Sequence, residues 1–229
     1  MLQRMLTPLW AIRSVVAFVG PAILGAVVLA GGRLAGLPRQ SRNANAWLTG
    51  WLAPRLAGFT IEVDGEISAL SLRPAVIVFN HQSGVDPVIM ARLAGRDSIG
   101  LVKQALGRHP LLGPLLRMQG ALFIQPDGSN QALLASAARR ICDEKLALLI
   151  APEGKRTREL APFRAGAIRL ARLAQVPIVP VVIHNSGAIL APHALIMRPG
   201  PVRVSVLAPQ PHDAHEPDTL RALFVQALA

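Results

Sequence analysis

Ala75-Val76-Ile77-Val78-Phe79-Asn80-His81-Gln82-Ser83-Gly84-Val85-Asp86-Pro87 runs an apolar stretch into a polar loop and out into the start of a helix. Five consecutive apolar residues without polar alternation read as a strand buried on both faces, emptying into a loop where functional side chains tend to sit. Pro87 suits a first helical turn, and Val88, Ile89, Met90, Ala91 and Leu93 supply the apolar side that follows. A residue before proline is pushed out of helical dihedrals, so Asp86 is expected outside the helix, turned back across the loop toward the imidazole. Gly84 eases the closing of that loop. A carboxylate on one ring nitrogen fixes the histidine tautomer and stabilises the imidazolium, leaving the other nitrogen free to take a proton from a hydroxyl. His81 and Asp86, with four residues between them, are the candidate catalytic pair. The spacing alone equally admits an Asp86 that caps the helix and a hydrogen-bonded loop histidine.

Outward from this stretch, short apolar runs alternate with helical periodicity. Strands are predicted over Thr60–Val63, Ala75–Phe79, Ser98–Val102, Ala121–Ile124, Leu146–Ile150, Ile178–Ile183 and Val202–Leu207. Helices are predicted over Pro87–Leu93, Asn130–Lys145, Ala165–Ala174 and Thr219–Leu228, with Asp127 or Ser129 as the cap of the second. The fold class is α/β, with a mostly buried sheet flanked by helices. The 229 residues suit one such domain plus a terminal appendage. The single Cys142 cannot form an intrachain disulfide, which fits a reducing compartment and a packing role.

The appendage is the N-terminal region. Ser14 to Gly32 is uncharged and bracketed by Arg13 and Arg33. At about 1.5 Å per residue it reaches roughly 28 Å, close to the thickness of a bilayer core. Pro21, with Gly20 and Gly25 beside it, should kink such a helix, so a re-entrant or interfacial helical hairpin is the competing expectation. Charges resume at once afterwards, which argues against a cleaved signal peptide. Trp47 and Trp51 fall on one face of a following helix, placed over 46–57, and suit an interfacial anchor. Residues 1–58 are thus read as a membrane-anchoring helical segment, 59–229 as the catalytic domain, and Leu37–Asn45 as the hinge.

The net charge of +11 is uneven: residues 1–61 hold six arginines and no acid. Three Trp, six Phe, no Tyr and no basic recognition motif argue against nucleic acid, whereas anionic lipid headgroups explain the charge. Arg33, Arg39, Arg42 and Arg55 follow the apolar segment as basic residues do at a cytoplasmic leaflet, so the domain is expected to face the cytoplasm. A second strand end, Leu149-Ile150-Ala151-Pro152-Glu153-Gly154-Lys155-Arg156-Thr157-Arg158, presents a carboxylate and three cations from a glycine turn. That composition suits an anionic headgroup, although a solvated charged turn has the same pattern. Lys103 and Arg164 are expected to add charge to the same cleft. His212-Asp213-Ala214-His215-Glu216 lacks a further placed ligand and is read as a polar lead into the last helix, with no metal assigned.

In this order the pieces resemble the glycerolipid acyltransferase family, whose best-known members are the PlsC-type 1-acylglycerol-3-phosphate acyltransferases. The resemblance covers about 60–185. Asn80, His81 and Asp86 match the family's first motif (HX4D); Gly120 and Phe123 the second; Pro152, Glu153, Gly154 and Arg156 the third; Pro177 and Pro180 the fourth. It implies a single mixed-sheet acyltransferase domain and fatty acyl transfer from acyl-CoA or acyl carrier protein to a lysolipid hydroxyl. The expected acceptor is 1-acyl-sn-glycerol-3-phosphate, giving phosphatidic acid for phospholipid biosynthesis, and no cofactor is needed. His81 would be the general base, Asp86 its orienter, and Lys103, Glu153, Gly154, Lys155, Arg156 and Arg164 the substrate-binding set. Pro126 stands where the second motif carries an arginine that helps bind the acceptor's phosphate. Lys155 or another cation is the expected substitute, and acylation of another lysolipid, such as a lyso-ornithine lipid or a lysophospholipid, or a silent membrane adaptor, is the alternative. Ser83 raises a Ser-His hydrolase, but it shares a tight loop with the base and is expected to be a loop hydroxyl.

Overall fold

The computed structural model describes residues 2–125, 130–214 and 216–229, so Pro126, Asp127, Ser129 and His215 lie outside the described residues. The chain begins with α1 (Leu2–Leu34) and α2 (Pro38–Ala57), then β1 (Phe59–Gly65), β2 (Ala75–Phe79) and α3 (Asp86–Ala94). β3 (Ser98–Lys103), α4 (Gln104–Gly107), α5 (Leu112–Gln119) and β4 (Leu122–Ile124) follow. Next come α6 (Gln131–Asp143), β5 (Ala147–Ile150), α7 (Gly166–Ala174) and β6 (Ile178–Ile183). The chain closes with α8 (Ser186–Ile189), β7 (Gly200–Val206) and α9 (Pro217–Leu228). All seven predicted strands are present, and α6 starts after Asn130.

The strands form one mixed sheet in the order β1-β7-β6-β2-β5-β3-β4. β6, β2, β5, β3 and β4 are mutually parallel, whereas β7 runs antiparallel to β6 and parallel to β1. Every residue of β2 is buried, as its unbroken apolar run requires. The parallel strands bring Asn80, Lys103, Gln125, Ala151 and His184 to one rim, the place where open α/β sheets collect ligands. Pro180 cannot donate to an interior ladder, and β7 accommodates it: Val181 pairs with Val206 but Ile178 bridges Gln210, which leaves one extra residue on the β7 side.

Side-chain alternation splits the core in two. Ala75, Ile77 and Phe79 pack with Ile89 and Met90 of α3 and with Ala17 and Ala57 of the N-terminal helices. Val76 and Val78 face Ile141 of α6, Ile168 of α7 and Phe224 of α9. The sheet thus has a hairpin face and a helical face, and burying these side chains is its principal stabilisation.

The N-terminal segment departs from expectation in two ways. α1 continues through Pro8 and Pro21 unbroken. The expected hinge, Leu37–Asn45, is mostly helix: the chain turns at 35–37, where Gly36 has φ 72, and Pro38 opens α2. Ser14, Ala17, Pro21, Gly25 and Leu29 form a buried stripe on α1. The small residues let α2 approach: a Cβ on Gly25 would collide with Asn45, and one on Gly32 with Ser41. Polar ties then fix the hairpin to the domain. Ser14 Oγ accepts the Met197 N–H at 2.7 Å, Asn43 Nδ2 donates to Asp97 at 2.9 Å, and Asn45 Nδ2 donates to Gln119 at 2.7 Å. The opposite side of α1 exposes Ile12, Val15, Val19, Ile23 and Val27.

Candidate active site

The site starts where β2 loses its backbone ladder. The Asn80 amide replaces it, donating to the Ile183 carbonyl at 2.8 Å and accepting the Ile183 N–H at 2.7 Å. Buried polar groups are costly unless paired, so this double bond fixes where the next residue leaves the sheet. His81 is then held by its backbone: its N–H donates to Glu153 Oε1 at 2.6 Å and its carbonyl accepts the Thr157 N–H at 3.0 Å. The other Glu153 oxygen accepts from the Thr157 hydroxyl at 2.6 Å and the Ala161 N–H at 3.0 Å. Glu153 is 4% exposed with both oxygens engaged, so it ties the two loops together rather than reaching for a headgroup as expected.

The imidazole meets the carboxylate as the spacing suggested. His81 Nδ1 lies 2.7 Å from Asp86 Oδ2, which also accepts the N–H groups of Gln82 at 2.8 Å and Ser83 at 2.7 Å. Asp86 is fully buried, while 22% of the His81 side chain is exposed. A buried carboxylate on Nδ1 selects the tautomer with the proton there and leaves Nε2 as an acceptor at the rim. Asp86 is, however, the first residue of α3, with Val85 as its cap. The restriction before Pro87 is outweighed by three hydrogen bonds to one oxygen and by the favourable place of an anion at a helix N-terminus. Asp86 Oδ1 is buried with no hydrogen bond among the described residues.

Ser83 is fully buried, donates to the Leu190 carbonyl at 2.7 Å and accepts the Val85 N–H at 3.3 Å. Its hydroxyl thus bonds Leu190 and Val85 and pins the loop, as a loop hydroxyl would. Nη1 of Arg156 stands 3.3 Å from where a Cβ on Gly84 would sit, which places this cation against the loop from His81 to Asp86. Lys155, Arg156 and Arg158 are exposed and form no ion pair among the described residues.

The expected cations are divided between the two faces of the sheet. Lys103 and Arg164 line a separate cleft together with Pro152 and Gly154, and neither His81 nor Asp86 lines it. The Arg164 guanidinium lies over Gly154, whose φ is 66. The remaining motif residues position elements. Gly120 ends α5 at φ 84 and its carbonyl accepts from Arg140 at 3.0 Å. Phe123 packs against Gly107, the Pro177 carbonyl accepts the Val76 N–H at 3.0 Å, and Pro152 is buried in the turn. The sequence reading missed Thr157, Leu190 and Ala161, whose roles depend on backbone groups brought together only by folding.

A profile of the Acyltransferase family matches residues 60–184. The chain is 31% identical over 160 residues to 1-acyl-sn-glycerol-3-phosphate acyltransferase of Saccharomyces cerevisiae, covering 67% of this chain and 52% of that protein. It is 29% identical over 198 residues to an uncharacterised acyltransferase of Schizosaccharomyces pombe, covering 84% and 71%. With 1-acyl-sn-glycerol-3-phosphate acyltransferase of Limnanthes douglasii it shares 31% over 173 residues, 73% of this chain and 60% of the plant protein. The chain therefore spans between about half and 71% of the length of these relatives. Its fold is that of the crystal structure of the acyltransferase PlsC from Thermotoga maritima, at a TM-score of 0.80 and 18% identity over 98% of this chain and 94% of the other.

Proposed function

The chain belongs to the Acyltransferase family, and on that footing we propose that it moves a fatty acyl group from a thioester to the free hydroxyl of 1-acyl-sn-glycerol-3-phosphate, giving phosphatidic acid. The observation that carries the chemistry is the 2.7 Å bond between His81 Nδ1 and the buried Asp86, which leaves Nε2 open at the rim. Nε2 takes the proton of the lysolipid hydroxyl as its oxygen attacks the thioester carbonyl. The carbon–sulfur bond then breaks, and the departing thiolate takes the proton back from the imidazolium. No acyl-enzyme is required, which agrees with Ser83 being committed to Leu190. Asp86 holds the tautomer and stabilises the transient imidazolium. Arg156, beside the catalytic loop, suits the acceptor's phosphate, and the adjacent exposed Lys155 suits the role of the missing second-motif arginine.

The hairpin is read as an anchor that lies in one leaflet. α1 is long and apolar enough to cross a membrane by length and composition. A helix threaded through a bilayer would meet lipid all round, whereas α1 buries one stripe on the protein and binds Met197 through Ser14. Trp47 and Trp51 stack at 5.8 Å on α2, and Arg55 sits 4.1 Å over the second ring, an exposed aromatic and cationic ladder suited to the headgroup level. Arg39 and Arg42 are paired with Asp97 and Glu144, so Arg33 and Arg55 are the cations left for a cytoplasmic leaflet.

The acceptor is the open choice, because of Pro126. Membranes containing the protein, supplied with labelled thioester and a panel of lysolipids, are expected to acylate lysophosphatidate in preference to lyso-ornithine lipid or lysophosphatidylcholine, read by mass spectrometry. Product with another acceptor alone would make Pro126 a specificity switch. No product with any acceptor would leave a silent adaptor.

A further inference from the structure

We propose that the cleft between α6 and α7 binds the phosphate-bearing arm of the acyl donor, the phosphopantetheine thioester shared by coenzyme A and acyl carrier protein; this rests on the acyl-transfer reading. The cleft holds about 1160 Å³, on the helical face of the sheet. Leu101, Ile124, Leu134 and Ile150 give it an apolar floor, and Lys103, Arg164 and Arg169 stand round it. No carboxylate lines it among the described residues. Arg172 also borders it but donates to Glu216 at 2.8 Å, so its charge is partly offset. The first residues of both helices, Gln131 and Gly166, line the same space, which adds two positive helix ends to the three cations. A Cβ on Gly166 would meet nothing within 4 Å, so the helix end is open to a ligand. An apolar floor under an acid-free cationic rim selects a molecule with anionic phosphate and a long uncharged arm.

Position decides between the two substrates. The lysolipid comes from the membrane, and the hairpin, the dyad loop with Leu190, and Arg156 all belong to the other face. The donor's carrier comes from water, and with the hairpin as the anchor the helical face is the side of the sheet opposite it. The two approaches meet at the Pro152–Gly154 turn: Gly154 and Arg164 border the cleft, while Glu153 holds the backbone of His81.

The test uses the full chain in detergent micelles, titrated by calorimetry with coenzyme A in one arm and pantetheinylated acyl carrier protein in the other. Donor and acceptor KM are measured in parallel. Arg169→Ala, and separately Arg164→Ala, should weaken donor binding and raise donor KM about tenfold, the loss of one charge-assisted phosphate contact, with acceptor KM unchanged. Arg139→Ala, an exposed α6 cation outside the cleft, should change neither. An effect confined to one arm supports the site and names its source. Wild-type affinity for both carriers in both variants, or a rise in acceptor KM instead, overturns the proposal. Binding that depends on Arg169 in a protein that acylates no lysolipid would sink the transfer reading while leaving the cleft's ligand standing.

Discussion

The two loops that meet at the rim are held in opposite ways. From Asn80 to Asp86 three side chains are tied inside the protein: the Asn80 amide on Ile183, the Ser83 hydroxyl on Leu190, and Asp86 Oδ2 on three donors. From Lys155 to Arg158 the cations are exposed and unpaired among the described residues, although Glu153 at the root of the same loop is buried and clamped. In the proposed mechanism the difference separates two tasks. A base must be held to a fraction of an ångström before substrate arrives, while headgroup recognition can be left to long side chains that settle onto a phosphate.

Substitutions should divide along the same line. The largest effect is expected from Asp86→Asn: the amide oxygen can keep the geometry, but the imidazolium loses its counter-charge and a buried NH2 takes the unpartnered Oδ1 position. A fall in kcat of roughly 10²–10⁴ is expected with acceptor KM little changed, and steady-state kinetics at saturating donor would check it. Glu153→Gln comes next, because one of its oxygens becomes a donor facing donors. A cost of about 1–3 kcal/mol should appear as a lower Tm together with a lower kcat; a loss of acceptor affinity alone would return Glu153 to the headgroup. Arg156→Ala should leave Tm unchanged and raise acceptor KM about tenfold, the inverse pattern, if its phosphate contact is charge-assisted. The smallest effect belongs to the hairpin's tie at Asp97, where the hydrogen bond from Arg39 holds the carboxyl below its usual range. A depressed folded-state pKa contributes stability above the ordinary carboxylate range, and that contribution is lost as pH falls through the lowered value. The Tm difference between wild type and Arg39→Ala should therefore be small at pH 7 and close on acidification.

The parts of this arrangement that depend on local pattern were legible. The apolar runs located all seven strands, and HX4D pointed to the contact between His81 and Asp86. The face of Lys103 was also readable in principle, since it alternates in phase with Ile99 and Leu101, which belong to the helical face. What was not legible is which partner each polar residue meets. Leu37–Asn45 reads as a hinge because it is polar, yet Arg39, Arg42, Asn43 and Asn45 are polar because Asp97, Glu144 and Gln119 await them across the interface. Glu153 enters the substrate-binding set through the third motif, and only the fold brings Ala161 and the His81 backbone to its two oxygens.

The most direct test of the central claim is transfer of a labelled acyl group from thioester to lysophosphatidate by the wild type and by His81→Ala, at matched expression and equal Tm. Phosphatidate formed by the wild type and reduced at least about 10²-fold in the variant is the predicted result. Undiminished product in the variant would contradict a base at His81 and the account built on it.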